Sequence, residues 1–178
     1  MAEPETIRTA FERNRKVLSL KPKKGQYKTT THIRVQDGTT CEVQHKHWTF
    51  LADVGENQGG NDAGPGPSVL ERAALGSCLA IGYVTWAAFL EVPVDDVQVD
   101  VEADVDARGT FGIDDVSPGY RAVRYRVCID SPASEDAVQD VIEKADAHSP
   151  VLHNLRNPVP IEREVIFTNA KKKPSEPS

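Results

Sequence analysis

Along this chain the apolar positions alternate between helical and strand spacing, and one long stretch follows neither. Residues 4–20 carry Ile7, Ala10, Phe11, Val17 and Leu18 near one face of a short amphipathic helix, and the basic KPKKGQ that follows reads as a linker. Two β-rich runs, 29–36 and 39–51, flank Asp37-Gly38, whose glycine tolerates the positive φ of a hairpin turn. Val97, Val99, Val101, Ala103 and Val105 alternate with Gln98, Asp100, Glu102, Asp104 and Asp106, the pattern of a strand with one face in the core and one in water. A second such strand is expected over 120–129, with Val123, Tyr125, Val127 and Ile129 on one side and Arg124, Arg126 and Cys128 on the other. Val138, Val141, Ile142 and Ala145 recur at helical spacing behind Ser134. That helix is expected to break near Ser149-Pro150, where serine can cap and proline can start another turn. A last alternating run, 159–168, predicts one more strand. The order helix, two strands, long helix, two strands, helix, strand is an α+β arrangement built on an antiparallel sheet.

The stretch that follows neither period is GPGPSVLERAALGSCLAIGYVTWAAFL, residues 64–90. Ser68 and Glu71 stand at capping-box spacing after a Gly/Pro loop, so Ser68 is the expected cap of a helix. No charge occurs between Arg72 and Glu91, which makes the segment comparable to the ~20 residues that a bilayer requires. Gly76, Ser77, Gly82 and Thr85 dilute it and its flanks carry no basic cluster, so a core helix is expected and not a membrane span. A helix apolar all round must be buried all round. The chain's own sheet can cover one face, and a second copy of the chain is expected to cover the other, which places this helix near a homodimer interface.

Composition narrows the partners. The chain of 178 residues has 21 basic and 27 acidic side chains, a net charge of −6, and no basic stripe interleaved with aromatics, so nucleic acid is not an expected partner. The loop GENQGGNDAGPGPS lacks the Gly-Lys-Ser/Thr ending that would cradle a phosphate. Cys41, Cys78 and Cys128 form an odd set without CxxC spacing, and MAEPETIRTAFERN has no apolar signal segment; both fit a cytoplasmic protein. No cofactor is expected. Cys41, His45 and His47 would share a strand face without a matching second pair for a metal, and the acidic strand lacks the glycine turn and closing glutamate of a calcium loop. Trp48 and Trp86 are expected as core aromatics. The organisation expected is an extension and linker over 1–26, one domain over 27–168 and a charged, disordered tail over 169–178.

The block GGNDAGPGPSVLERAALGSCLAIGY resembles the signature of the OsmC/Ohr family of thiol-dependent hydroperoxide reductases, and VDVEADVDARG resembles the strand that follows the central helix there. The likeness runs from about the Asp37-Gly38 hairpin to Ile166. It implies the OsmC-like fold, an intertwined homodimer whose strongly curved antiparallel sheets enclose central buried helices, with active sites at the interface. It also implies that Cys78 is the thiol that attacks a peroxide. The family's second thiol would fall in ADAHSPVLHNL at Ser149, and serine cannot form the disulfide. The family's glutamate would fall at Val69 or Ser68, with Glu71 displaced, and its arginine nearest to Gln36 or Arg34. The implied function is reduction of organic hydroperoxides through Cys78 by a one-cysteine cycle, with an external thiol or dithiol as reductant. The alternative is a non-catalytic dimer of the same fold that binds a small molecule or senses oxidants.

A peroxide-reducing cysteine reacts as its thiolate, and a free cysteine has a pKa of about 8.5. Cys78 lies roughly 15 Å past Ser68 at 1.5 Å per residue, beyond the first turn in which a helix N-terminus acts. A cation is needed instead. Arg34, Arg72, Arg108 and His148 are the candidates; Arg34 is favoured by the resemblance, and His148 because it adjoins Ser149. The plain reading is an inert Cys78 packed as a small hydrophobe among Ala74, Leu75, Ile81 and Gly82. Cys41 or Cys128 could resolve an oxidised Cys78 only by lying close to it.

Overall fold

The computed structural model describes residues 3–167, and its elements follow the expected order with one strand more in the first half and one fewer at the end. Helix α1 (Pro4–Leu20) opens on a proline, whose fixed φ suits a first helical position. Phe11 rests edge-on against Trp86 and Phe89, with ring centroids 5.3 and 5.1 Å away. Ile7, Ala10 and Phe11 are half-buried while Val17 and Leu18 remain exposed, so α1 docks by its first half.

Strands β1 (His32–Asp37), β2 (Thr40–His45) and β3 (Trp48–Ala52) form one antiparallel sheet in that order. Gly38, at φ +54°, makes the first turn. The single run expected over 39–51 is two strands, because Lys46 adopts φ +53° and His45 pairs with Trp48. That turn contains no glycine or asparagine to announce it. His47 therefore sits in a turn and not on the strand face of Cys41 and His45. The register puts Ile33, Val35, Cys41, Val43 and Phe50 on one face and Arg34, Glu42, Gln44 and Thr49 on the other. The apolar face is largely open, with Ile33 61% exposed; Trp48, expected in the core, is exposed at the hairpin end beside the His47 ring.

Asp53 ties this sheet to the loop that follows it. The residue is 2% exposed, and its Oδ1 accepts the Thr39 hydroxyl at 2.7 Å and the Val54 N–H at 2.8 Å. Its Oδ2 accepts the Thr40 hydroxyl at 2.8 Å and the Asn61 N–H at 3.0 Å. The Thr39 bond foremost, with Thr40 and the two N–H groups, outweighs the cost of burial and holds this carboxyl well below the usual carboxylate range.

Helix α2 (Pro67–Leu90) has Gly66 as its cap residue and Pro67 at its first position. Ser68 is therefore not the cap: the proline starts the helix two residues earlier than the capping box would, and Ser68 already lies in the first turn. The helix closes on Glu91 at φ +58°, with the Val92 N–H donating to the Ala87 carbonyl at 2.9 Å. Leu75, Leu79 and Tyr83 form its buried face, while Ala73, Ser77, Ile81 and Val84 on the other side are exposed. By length and composition α2 could cross a membrane, but its buried face is the centre of a folded core.

Strand β4 (Asp96–Asp104), the single turn α3 (Ala107–Thr110) and strand β5 (Ala122–Asp130) follow, and β4 pairs with β5 antiparallel from Asp96↔Asp130 to Asp104↔Ala122. Val97, Val99, Val101, Tyr125, Val127 and Ile129 pack on α2, as their alternation predicts. On the wet face Asp100 lies opposite Arg126 and Glu102 opposite Arg124, pairings of opposite charge that support the register. Gly76 admits β4 closely, since a Cβ there would stand 3.2 Å from Val101 Cγ2. Helix α4 (Glu135–Ala147), capped by Ser134, and helix α5 (Pro150–Arg156), capped by Ser149, complete the core with Ile142, Ala145, Val151 and Leu152.

The strand expected over 159–168 does not form within the described residues, and Thr168 lies outside them, as does the expected tail. A strand needs a ladder beside it, Pro160 removes one of its donors, and among the described residues no strand pairs with 158–167, leaving Ile161 92% exposed.

Candidate active site

Cys78 occupies the half-buried side of α2, next to the fully buried Leu79. Its Sγ lies 3.2 Å from the Oγ of Ser149, the residue at which α4 gives way to α5. Pro150 starts α5 and Ser149 caps it, accepting the Leu152 N–H at 3.3 Å. Ser149 is 5% exposed, so its hydroxyl has little access to water. An ionised Cys78 has no proton to give, and Ser149 is then the donor. The two helices run close together here, and the space beside Gly82 would just admit a Cβ, in ordinary contact with Ala145 Cβ at 3.5 Å.

His148 ends α4. Its Nδ1 lies 2.7 Å from the Lys144 carbonyl, which can only accept, so Nδ1 carries a proton. The ring stacks obliquely on Trp86, centroids 4.9 Å apart. The other candidate cations are engaged elsewhere. Arg72 donates to the Tyr120 hydroxyl at 3.3 Å, and Arg108 is paired with Asp106 at 2.7 Å. Arg34 lies on the polar face of β1 opposite Glu42, and no residue of β1, β2 or β3 belongs to the core cluster around α2. The structure thus brings together Cys78 and Ser149; His148 adjoins Ser149 in sequence but turns its ring to Trp86, and Arg34 stands apart. Val69 and Glu71 are both exposed. Cys41 lies on the open sheet face and Cys128 on the wet face of β5, so neither is presented to Cys78 by the core of one chain. Among the described residues no cluster of three His, Cys, Asp or Glu side chains could hold a metal.

One feature of the site escaped the sequence. Asp146 accepts the Tyr83 hydroxyl on Oδ1 and the Tyr125 hydroxyl on Oδ2, each at 2.7 Å. Burial foremost, and then the Asp146 carboxylate, push both tyrosines above their ordinary value. The signal was present, since Asp146 is a charged residue beside Ala145 at the end of an apolar helical stripe.

Comparison with known proteins places this geometry. Residues 59–164 match the family model described as OsmC-like protein. No curated protein matches the chain. Among solved structures it is similar to an OsmC-like protein from Mycoplasma pneumoniae, at 16% identity and a TM-score of 0.64, over 75% of this chain and 90% of that one. It is also similar to an organic hydroperoxide resistance protein OsmC from Legionella pneumophila, at 16% identity, TM-score 0.55, over 74% and 92% of the two chains. A third similar structure is a putative organic hydroperoxide resistance protein from Vibrio cholerae with captopril bound in one of its active sites, at 12% identity, TM-score 0.53, over 75% and 88%.

Proposed function

This chain belongs to the OsmC-like family, and on that premise we propose that it reduces organic hydroperoxides through Cys78 in a one-cysteine cycle. The observation that carries the proposal is the 3.2 Å contact between Cys78 Sγ and Ser149 Oγ, a hydroxyl donor held against the sulfur by a helix cap. In the first step the Cys78 thiolate attacks the outer peroxide oxygen. The O–O bond breaks, the leaving alkoxide takes a proton and departs as the alcohol, and Cys78 becomes a sulfenic acid. Because Ser149 cannot make a disulfide, an external thiol must condense with the sulfenic acid, releasing water and leaving a mixed disulfide. A second thiol then releases reduced Cys78 and carries the two electrons away as a disulfide.

A second copy of the chain completes the fold in this reading. Its support is the open apolar face of β1–β3, the exposed Ile81 and Val84 of α2 and the 158–167 segment, which pairs with no strand among the described residues. The rival reading is a dimer of the same fold that senses oxidants or binds small molecules without turnover; serine at position 149 favours it. Cumene hydroperoxide added in small excess, with sulfenic-acid trapping and counting of residual thiols, separates the two. The expected result is rapid oxidation confined to Cys78, lost in Cys78→Ser, and turnover with a small thiol. An unreacted Cys78 would defeat the proposal, and oxidation without turnover under any thiol or dithiol would establish the rival.

A further inference from the structure

We infer that Asp146 is a positioning residue for the Cys78–Ser149 pair, its carboxylate pinning the α4–α5 corner that carries Ser149 to the helix that carries Cys78. The inference rests on the reading that Cys78 is the reactive group. It goes beyond that reading by naming what sets the distance between sulfur and hydroxyl.

The corner packs on the core through Ala145, Val151 and Leu152. Ser149 receives its place from the backbone through its own N–H, which donates to the Asp146 carbonyl at 3.3 Å. The same residue's side chain spans two elements, taking the hydroxyl of Tyr83 from α2 and that of Tyr125 from β5. Tyr83 is fully buried, and it follows Cys78 on α2 by little more than one turn. Ala145 supplies the adjacent apolar contact, in one buried cluster with Leu79 and Tyr83 of α2. The corner is therefore registered by apolar contacts at Ala145, Val151 and Leu152 and by a two-pronged polar contact at Asp146, one prong on α2 and one on β5, with Ser149 just beyond. A carboxylate with both oxygens occupied by buried or half-buried phenols has one orientation, and directional bonds of this kind fix angles that apolar contact alone leaves loose. A displaced hydroxyl would still cap α5, but it would no longer meet Sγ.

The test follows Cys78 alkylation by iodoacetamide as a function of pH, in a Cys41→Ser/Cys128→Ser background, for Asp146→Asn, Tyr125→Phe, Ser149→Ala and Asp146→Asn/Ser149→Ala. Losing the donor in Ser149→Ala should slow alkylation about tenfold below the thiol's pKa and move the midpoint of the rate–pH profile upward. Asp146→Asn should slow it about threefold with the same direction of shift. In the Ser149→Ala background Asp146→Asn should have no further effect on the profile, although it still lowers Tm. Additive slowing in the double variant overturns the inference, as does an unchanged profile in Asp146→Asn. If Asp146→Asn does not fold, Tyr125→Phe, which keeps the Tyr83 tie, takes its place in the same cycle with the same two outcomes. Iodoacetamide reads the thiol without a peroxide, so absent peroxidase turnover would defeat the proposed function while leaving this inference intact.

Discussion

The core around α2 and the sheet β1–β3 each present an apolar face, and the two faces end in opposite states. Around α2 the valines of β4 and β5 meet Leu75, Leu79 and Tyr83, and the polar atoms that enter are paired, Tyr83 and Tyr125 on Asp146. In the sheet, Ile33, Val35 and Phe50 line up on one face and remain exposed, although the ladder beneath them is complete. Backbone pairing fixes the sheet's shape but buries little, and burial is where most of the stabilisation lies. One region is thus finished within the chain, whereas the other has its hydrogen bonds and lacks its cover. Cys78 lies at the edge of the first region, on a helix with one side in the finished core and the other exposed.

The largest effect that tests this contrast is Leu79→Ala. Leu79 is wholly buried at the centre of α2, and its truncation should cost about 3 kcal/mol in urea unfolding. A cost below about 1 kcal/mol, the range of an accommodated site, would mean that the core is not closed by this chain alone. Next comes Ile33→Asp. In an isolated protomer it should change stability by under about 0.5 kcal/mol, because the side chain is already in water. If a second copy covers the sheet, the same change should weaken self-association by about 2 kcal/mol, roughly thirtyfold in Kd, read by sedimentation across protein concentration. A wild-type chain that stays monomeric at all concentrations would remove the contrast's explanation.

Legibility from sequence divides along the same line. Where an element buries one face inside its own chain, its period revealed it: the β4 and β5 alternation and the helical spacing of α4 all gave the observed faces. Ser149 was placed opposite Cys78 by the likeness of ADAHSPV to a known pattern, and local chemistry then explains its position, since a serine before a proline is both a cap and a corner. What was not legible depended on conformations or partners that leave little local trace. Lys46 turns the chain in a left-handed conformation that the residue type does not announce. The alternation of residues 159–168 is real, but a strand exists only beside another strand. The Asp146 clamp joins three elements whose proximity is a property of the fold, and only a charge on an apolar stripe hinted at it.

The smallest predicted effect sets the two regions apart by the direction of pH that loosens each. Asp53, the knot of the first sheet, is held below the usual carboxylate range chiefly by Thr39. Its folded form therefore prefers the ionised carboxyl more strongly than the unfolded chain does. That contribution is complete above the unfolded value near pH 4 and is lost as pH falls toward the folded one. Tyr83 is shifted the other way, by burial and by Asp146, so its contribution is complete below about pH 10 and fades as pH rises beyond it. Amide exchange should then find the N–H groups of Val54 and Asn61, both donors to Asp53, opening first on the acid side, while those of α2 near Tyr83 hold. On the alkaline side the order should reverse. Asp53→Asn removes the titrating group and should abolish the acid response of Val54 and Asn61 while leaving the alkaline response of α2 unchanged. Simultaneous opening of both sets at either extreme would show that the sheet and the core unfold as one unit, and that the sheet's exposed face does not make it a separate region in stability.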